Sequence, residues 1–144
     1  MIRVVLDTNV FVSAILYPDS KPARIIQLAK EKNIELVLSQ AILDEIERVL
    51  RYPHLQRYHN YSLEEVNEFI KGWKYLSEIT HGLVEADIIK DDPTDNKYIE
   101  CAIEGKADFI ISGDNHLATL RSFYGIEIVT PYVFLQYFKS TIGN

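Results

Sequence analysis

Cysteine, methionine and tryptophan occur once each in the 144 residues. A lone thiol excludes an intrachain disulfide framework, and Cys101, set among apolar neighbours, reads as a small buried hydrophobe. No apolar run approaches the roughly 20 residues needed to cross a bilayer. The opening segment MIRVVLDTNV is too short in its apolar stretch for a secretory leader and is followed by no small-residue cleavage site. These absences together point to the cytoplasm. Basic residues are scarce as well. Fifteen Lys and Arg against 21 Asp and Glu leave a formal charge of −6, which argues against a general electrostatic grip on nucleic acid. It does not exclude a nucleic-acid enzyme, because a carboxylate site binds cations first and the cations then bind phosphate. The four histidines, His54, His59, His81 and His116, show no HxxxH or Cys/His spacing, which argues against zinc.

What is present is a foldable chain. Hydrophobic residues make up 47% and charged residues 25%, enough apolar surface for one packed domain spanning residues 1–144. No repeat, low-complexity tract or linker interrupts it. Apolar runs alternate with segments of helical period, the signature of β-α-β units around a parallel sheet. Strands are expected at 2–6, 34–38, 82–87, 108–112 and 127–129. Helices are expected at 9–16, 22–32, 40–51, 63–79, 92–105, 115–122 and after Thr130-Pro131. Ser39 reads as an N-cap, and Ser62-Leu-Glu-Glu65 as a capping box.

In such a sheet, ligands sit at the carboxyl ends of the strands near a switch in strand order. Asp7 follows the first strand directly, and Asp114 lies two residues past the fourth, after Gly113. Each alone also suits a turn or a helix cap. In the helix near 93–105, Asp95 lies on the apolar stripe with Tyr98, Ile99 and Ala102, although it equally suits a first-turn acid. Asp91 and Asp92 read as cap and turn residues. In helix 40–51 the stripe is Ile42, Leu43, Ile46, Val49 and Leu50. Glu45 and Glu47 border it, and proximity to the helix start favours Glu45. Four carboxylates on one sheet edge need a divalent cation, and oxygen-only ligation suits Mg²⁺ or Mn²⁺.

Leu6-Asp7-Thr8-Asn9-Val10 resembles the opening of a PIN domain. Ser39 to Leu50, with Glu45 in Leu-Asp-Glu-Ile, resembles that family's second motif, and Asp92-Pro-Thr-Asp95-Asn96 its third. Ile110-Ile-Ser-Gly-Asp114 resembles the fourth, and Thr130-Pro131-Tyr-Val-Phe-Leu135 is similar to the closing segment. The motifs cover nearly the whole chain in order and are most similar to the toxin (VapC-like) branch of toxin–antitoxin systems. The resemblance implies an α/β/α sandwich around a mostly parallel sheet of about five strands. It implies Mg²⁺- or Mn²⁺-dependent ribonuclease activity on an RNA substrate, a cognate antitoxin protein, and homodimerisation. Its acids map onto Asp7, Glu45, Asp95 and Asp114, with Thr8, Asn9 and Ser112 in support.

Arg51, Arg57 and Lys71 are candidates for tracking an RNA backbone, though each equally reads as a surface charge. Tyr52, Tyr58, Tyr61 and Trp73 are candidates for base stacking, though core packing is the commoner use. Residues 52–80 extend beyond the motifs as a candidate clip over the site. Tyr132, Phe134, Tyr137 and Phe138 suit either a dimer contact or the inner face of the last helix. Two alternatives remain. One is a non-catalytic PIN-like module binding RNA or protein. The other, a receiver-like phosphoacceptor, fits poorly, because Ser39-Gln40 ends the second strand and Thr130-Pro131, not a Lys, directly follows the last.

Overall fold

The computed structural model describes residues 1–53, 55, 61–89, 93–113 and 122–141. Within them the chain runs β1 (Arg3–Leu6), α1 (Thr8–Leu16), α2 (Lys21–Lys30), β2 (Glu35–Leu38), α3 (Gln40–Leu50), α4 (Leu63–Leu76) and β3 (Glu78–Ile79). A 3-10 turn (Pro93–Asp95) leads into α5 (Asn96–Glu104). Then follow β4 (Phe109–Ile111), β5 (Ser122–Phe123), β6 (Ile126–Val129) and α6 (Pro131–Thr141).

The strands form one six-stranded sheet in the order β3-β2-β1-β4-β6-β5. All neighbours pair in parallel except β5 with β6. The chain builds outward from β1 to β2 and β3, then crosses to β4 on the other flank of β1. The switch in strand order therefore lies between β1 and β4, where Leu6 is in register with Ile111. Helices flank the sheet as an α/β/α sandwich, with α5 packed across β1, β2 and β4. Val4, Val5, Leu6, Ile110 and Ile111 are fully buried, as strands covered on both faces require.

Local chemistry explains the boundaries. Ser39 caps α3 by accepting from Ile42 N–H at 3.2 Å, and Thr130 Oγ1 accepts from Val133 N–H at 3.1 Å at the start of α6. Ser62 and Glu65 form the reciprocal capping box of α4. Phe11 of α1 meets Trp73 and Phe69 of α4 edge to face, with centroids 5.4 and 6.0 Å apart. Trp73 is therefore core, not a base-stacking platform, and α4 packs against α3 and β3. At the other end, Phe134 is buried against Phe109 at 5.5 Å, whereas Tyr132 and Tyr137 are exposed.

Three expectations change. The helix starting at Leu63 stops at Leu76, and Glu78–Ile79 instead pairs with Val37–Leu38 of β2. The parallel strands thus number five, as expected, but this pair supplies one of them. Residues 82–87 form no strand. They run as an extended strap along α5, held by one row of its side chains at i, i+4 and i+8. Asn96 Oδ1 accepts from Ile88 and Ile89 N–H, Glu100 from Ala86 N–H at 2.9 Å, and Glu104 from His81 and Leu83 N–H at 2.5 and 2.7 Å. The strap's amides find side chains where a strand would find a neighbour.

Ser122, expected to end a helix, begins an antiparallel hairpin and adds a sixth strand. Its two-residue turn, Tyr124-Gly125, has φ of 49° and 76°, the pattern of a type I′ connection. The rest of that expected helix, 115–121, lies outside the described residues. Gly105 ends α5 with φ of −81°, an ordinary right-handed value. It is needed for space: a Cβ there would stand 2.4 Å from Val37 Cγ1 and 3.0 Å from the Cys101 carbonyl oxygen.

Gly105→Ala should therefore cost about 1–3 kcal/mol in urea denaturation through overpacking. The two strap amides hold the Glu104 carboxyl below its ordinary value near 4.5, the His81 N–H first. Its contribution to the strap is present above that ordinary value and is lost as pH falls through the lowered one. Protection factors of the His81 and Leu83 amides should fall on acidification below about pH 4.5, and Glu104→Gln should abolish that dependence.

Candidate functional site

Asp7 leaves the end of β1 and becomes the N-cap of α1, with its Oδ1 accepting from Val10 N–H at 2.8 Å. Its other oxygen accepts from the Ser112 hydroxyl. Ser112 stands just past β4, so the bond spans the two central strand ends on either side of the switch. The backbone closes the same gap, with Asp7 N–H donating to Ile111 O at 3.1 Å, while Ser112 N–H donates to Val129 O of β6 at 2.9 Å. Asp7 is 3% exposed and Ser112 1%. The cap reading and the site reading of Asp7 are thus compatible, since each oxygen serves a different partner.

The third element is α5. Tyr98 is buried, and its hydroxyl oxygen accepts from Thr8 N–H at 3.1 Å. That hydroxyl also lies 2.8 Å from Thr8 Oγ1 and 3.2 Å from Glu45 Oε2. A phenol carries one proton and a carboxylate only accepts. All contacts are satisfied when Thr8 donates to the phenol oxygen and the phenol donates to Glu45. Burial, assisted by the negative charges of Glu45 and Asp7, pushes the Tyr98 hydroxyl far above its usual range, so it stays a neutral donor.

Glu45 and Glu47, which the helical period left level, separate here. Glu45 reaches Tyr98, and Lys97 stands 2.5 Å from the same oxygen. Glu47 turns to Arg51 at 2.7 Å. Arg51 also bonds Asn67, and Lys71 lies 3.7 Å from Glu68, so both are engaged on the surface. Asp95 is 8% exposed and lies one turn before Tyr98 and Ile99, on the face of α5 that meets the sheet. Its helix start is fixed by Asn96, whose Nδ2 donates to the Ile89 and Pro93 carbonyls at 3.1 and 3.0 Å.

The structure thus brings Thr8 and Glu45 to the Tyr98 hydroxyl and joins Asp7 to Ser112 across the strand ends, while Asp95 is buried at the start of the helix that carries Tyr98. Asn9 is exposed in the first turn of α1. Asp114 lies outside the described residues, as do Asp91, Asp92, His54, His59, His116, Arg57 and Tyr58. Among the described residues, no group of three or more His, Cys, Asp or Glu side chains is placed to hold a metal ion.

Sequence reasoning named Tyr98 only as a core residue and passed over Asn96 and Lys97. The available signal was that Tyr98 shares its helical face with Asp95, where a buried phenol needs a polar partner. The buried Cys101 thiol is pushed up to about 12, chiefly by burial, and is no nucleophile at neutral pH. The most apolar groove, about 530 Å³ beside Ile15, Leu50, Val66 and Phe69, shares no residue with this cluster. Tyr98→Phe should lower stability by about 1–3 kcal/mol in chemical denaturation, by removing the acceptor of the Thr8 amide and the donor to Glu45.

Comparison with known proteins bears on the fold and the family. The chain is 32% identical to the uncharacterized protein MJ1680 of Methanocaldococcus jannaschii, over 99% of this chain and 95% of that one. Its fold is similar to a chain in the crystal structure of VapBC2 from Rickettsia felis bound to a DNA fragment from their promoter. The TM-score there is 0.53 and the identity 15%, covering 88% of this chain and 97% of that one. Residues 3–116 match the family model described as PIN domain. The chain belongs to the PIN domain family.

Proposed function

We propose that this chain is a metal-dependent endoribonuclease that hydrolyses RNA phosphodiester bonds, with Asp7, Glu45, Asp95 and Asp114 as its acids. PIN domains are generally nucleases. The observation that carries the reading is the burial of Asp7 at the β1–β4 switch, held by Ser112 from one side and approached by the Thr8–Tyr98–Glu45 chain from the other. A buried carboxylate at a strand end beside the switch in strand order is a poor structural core and suits a cation seat.

The residues fit a hard divalent ion by their chemistry. Every candidate donor is an oxygen, and Asp7 and Asp95 are both desolvated. Asp7 and Asp95 are the proposed direct ligands of Mg²⁺ or Mn²⁺, with Asp114 and Glu45 acting directly or through water. When bound, the ion supplies charge that neutralises the phosphate and makes water more acidic. The chain's own part is positioning. Ser112 fixes the rotamer of Asp7, and Tyr98 orients Glu45 and Thr8. The exposed Asn9, next to Thr8 in the chain, is proposed to hold a phosphate by hydrogen bonding.

We extend the proposal to the toxin of a type II toxin–antitoxin pair. The similarity in fold to a chain of a VapBC complex supports a protein partner of this kind. A short antitoxin would silence the site by placing an Arg on the acids. Pairing of two copies, and action in the cytoplasm, complete the proposal.

Asp7→Asn should abolish Mn²⁺-dependent cleavage of a fluorescent RNA while leaving the circular dichroism spectrum unchanged. Full cleavage by the folded variant would refute the assignment. Wild-type protein that binds RNA yet cleaves nothing with either metal would instead favour a binding module.

A further inference from the structure

Lys97 holds a place that the nuclease reading does not use. Its ammonium lies 2.5 Å from Glu45 Oε2, 2.8 Å from the Thr94 carbonyl oxygen, and 4.9 Å from the centre of the Tyr98 ring. The side chain is only 14% exposed, and that of Glu45 22%. A lysine engaged by a carboxylate, a carbonyl and an aromatic face is not an arm reaching for solvent. Its charge is spent inside the cluster. Tyr98 contacts the same carboxylate oxygen, so that oxygen already carries two donors. A cation approaching through that oxygen must displace the ammonium or share the oxygen with it, and one approaching through Oε1 still meets the ammonium's repulsion in a partly desolvated setting.

We propose that Lys97 is a built-in counter-ion. It positions Glu45 and neutralises it in the metal-free chain, and by doing so it sets the affinity of the site for divalent metal below what its acids alone would give. The inference rests on the metal-dependent reading of the site. Lys97 is a positioning residue here, acting on the metal through Glu45.

The sign of the effect separates this role from a merely structural one. Loss of a structural lysine loosens the site and weakens metal binding; loss of a competing counter-ion strengthens it. Calorimetric titration of the full chain with MnCl₂ should show Lys97→Met binding about three- to tenfold more tightly than wild type. Its thermal midpoint without metal should fall, and the gain in midpoint on adding Mn²⁺ should widen. Lys97→Arg should restore the wild-type affinity. In a Glu45→Gln background, Lys97→Met should give no gain, because the competed carboxylate is gone.

Lys97→Gln serves the same purpose if the Met variant does not fold. Equal or weaker Mn²⁺ binding by either folded neutral variant overturns the proposal while leaving the metal site standing. Absence of Mn²⁺ binding in wild type and neutral variants alike, or binding undiminished by Asp7→Asn, fails the metal reading itself and the counter-ion role with it.

Discussion

The hydroxyl of Tyr98 touches residues that lie 90 and 53 positions away in sequence, Thr8 and Glu45. These contacts fix where α5 stands relative to the ends of β1 and α3. The contact is polar and buried, so its geometry is demanding: an unpaired phenol, amide or carboxylate in that setting costs more than the bond gains. Apolar packing of α5 on β1, β2 and β4 would tolerate small rotations of the helix. The Tyr98 network does not, and Asp95, one turn away on the same face, inherits its position from it.

The opposite side of α5 is held with equal economy. Asn96, Glu100 and Glu104 give their acceptors to a strap that has no strand partner. Asn96 uses both ends of its amide, accepting from Ile88 and Ile89 and donating to Ile89 and Pro93. The helix is therefore clamped between a polar network facing the strand ends and a polar ladder facing the strap. Close approach to β2 at Gly105 completes the seating, since no side chain fits there. A helix held on three sides can present a buried carboxylate repeatedly in one place, which positional chemistry requires.

Much of this was legible in the sequence because it follows from short-range rules. The run Ile2–Leu6, the caps at Ser39 and Ser62, and the stripe on α3 each state their structure locally. The placement of Asp7 at a strand end also followed from position alone. What was hidden is long-range. Glu78–Ile79 continues the helical pattern of α4, and only the open edge of β2 turns it into a strand. The strap at 82–87 has a strand-like composition but meets side chains instead of a backbone edge. Tyr124-Gly125 lacks the usual Asn or Asp before Gly, so nothing local announced a turn with two positive φ values. Glu45 and Glu47 were indistinguishable by period, and only the reach of Tyr98 and Lys97 from another helix separates them.

Charge balance ties the fold to the chemistry proposed for it. A chain with an excess of six negative charges gains little from bulk attraction to a polyanion. Any grip on RNA must be local, made where acids are concentrated enough to recruit a doubly charged ion. On the proposed reading the metal-free fold bears a cost, because Asp7 and Asp95 are desolvated. Internal donors relieve part of that strain: Ser112 and the Val10 amide on Asp7, Tyr98 and Lys97 on Glu45. Each donor that makes the empty site tolerable also competes for lone pairs that a cation would use. On the proposed metal-dependent reading, stability without metal and affinity for metal are therefore set against each other by the same few side chains, and Lys97, the one full positive charge among these donors, weighs most in that balance.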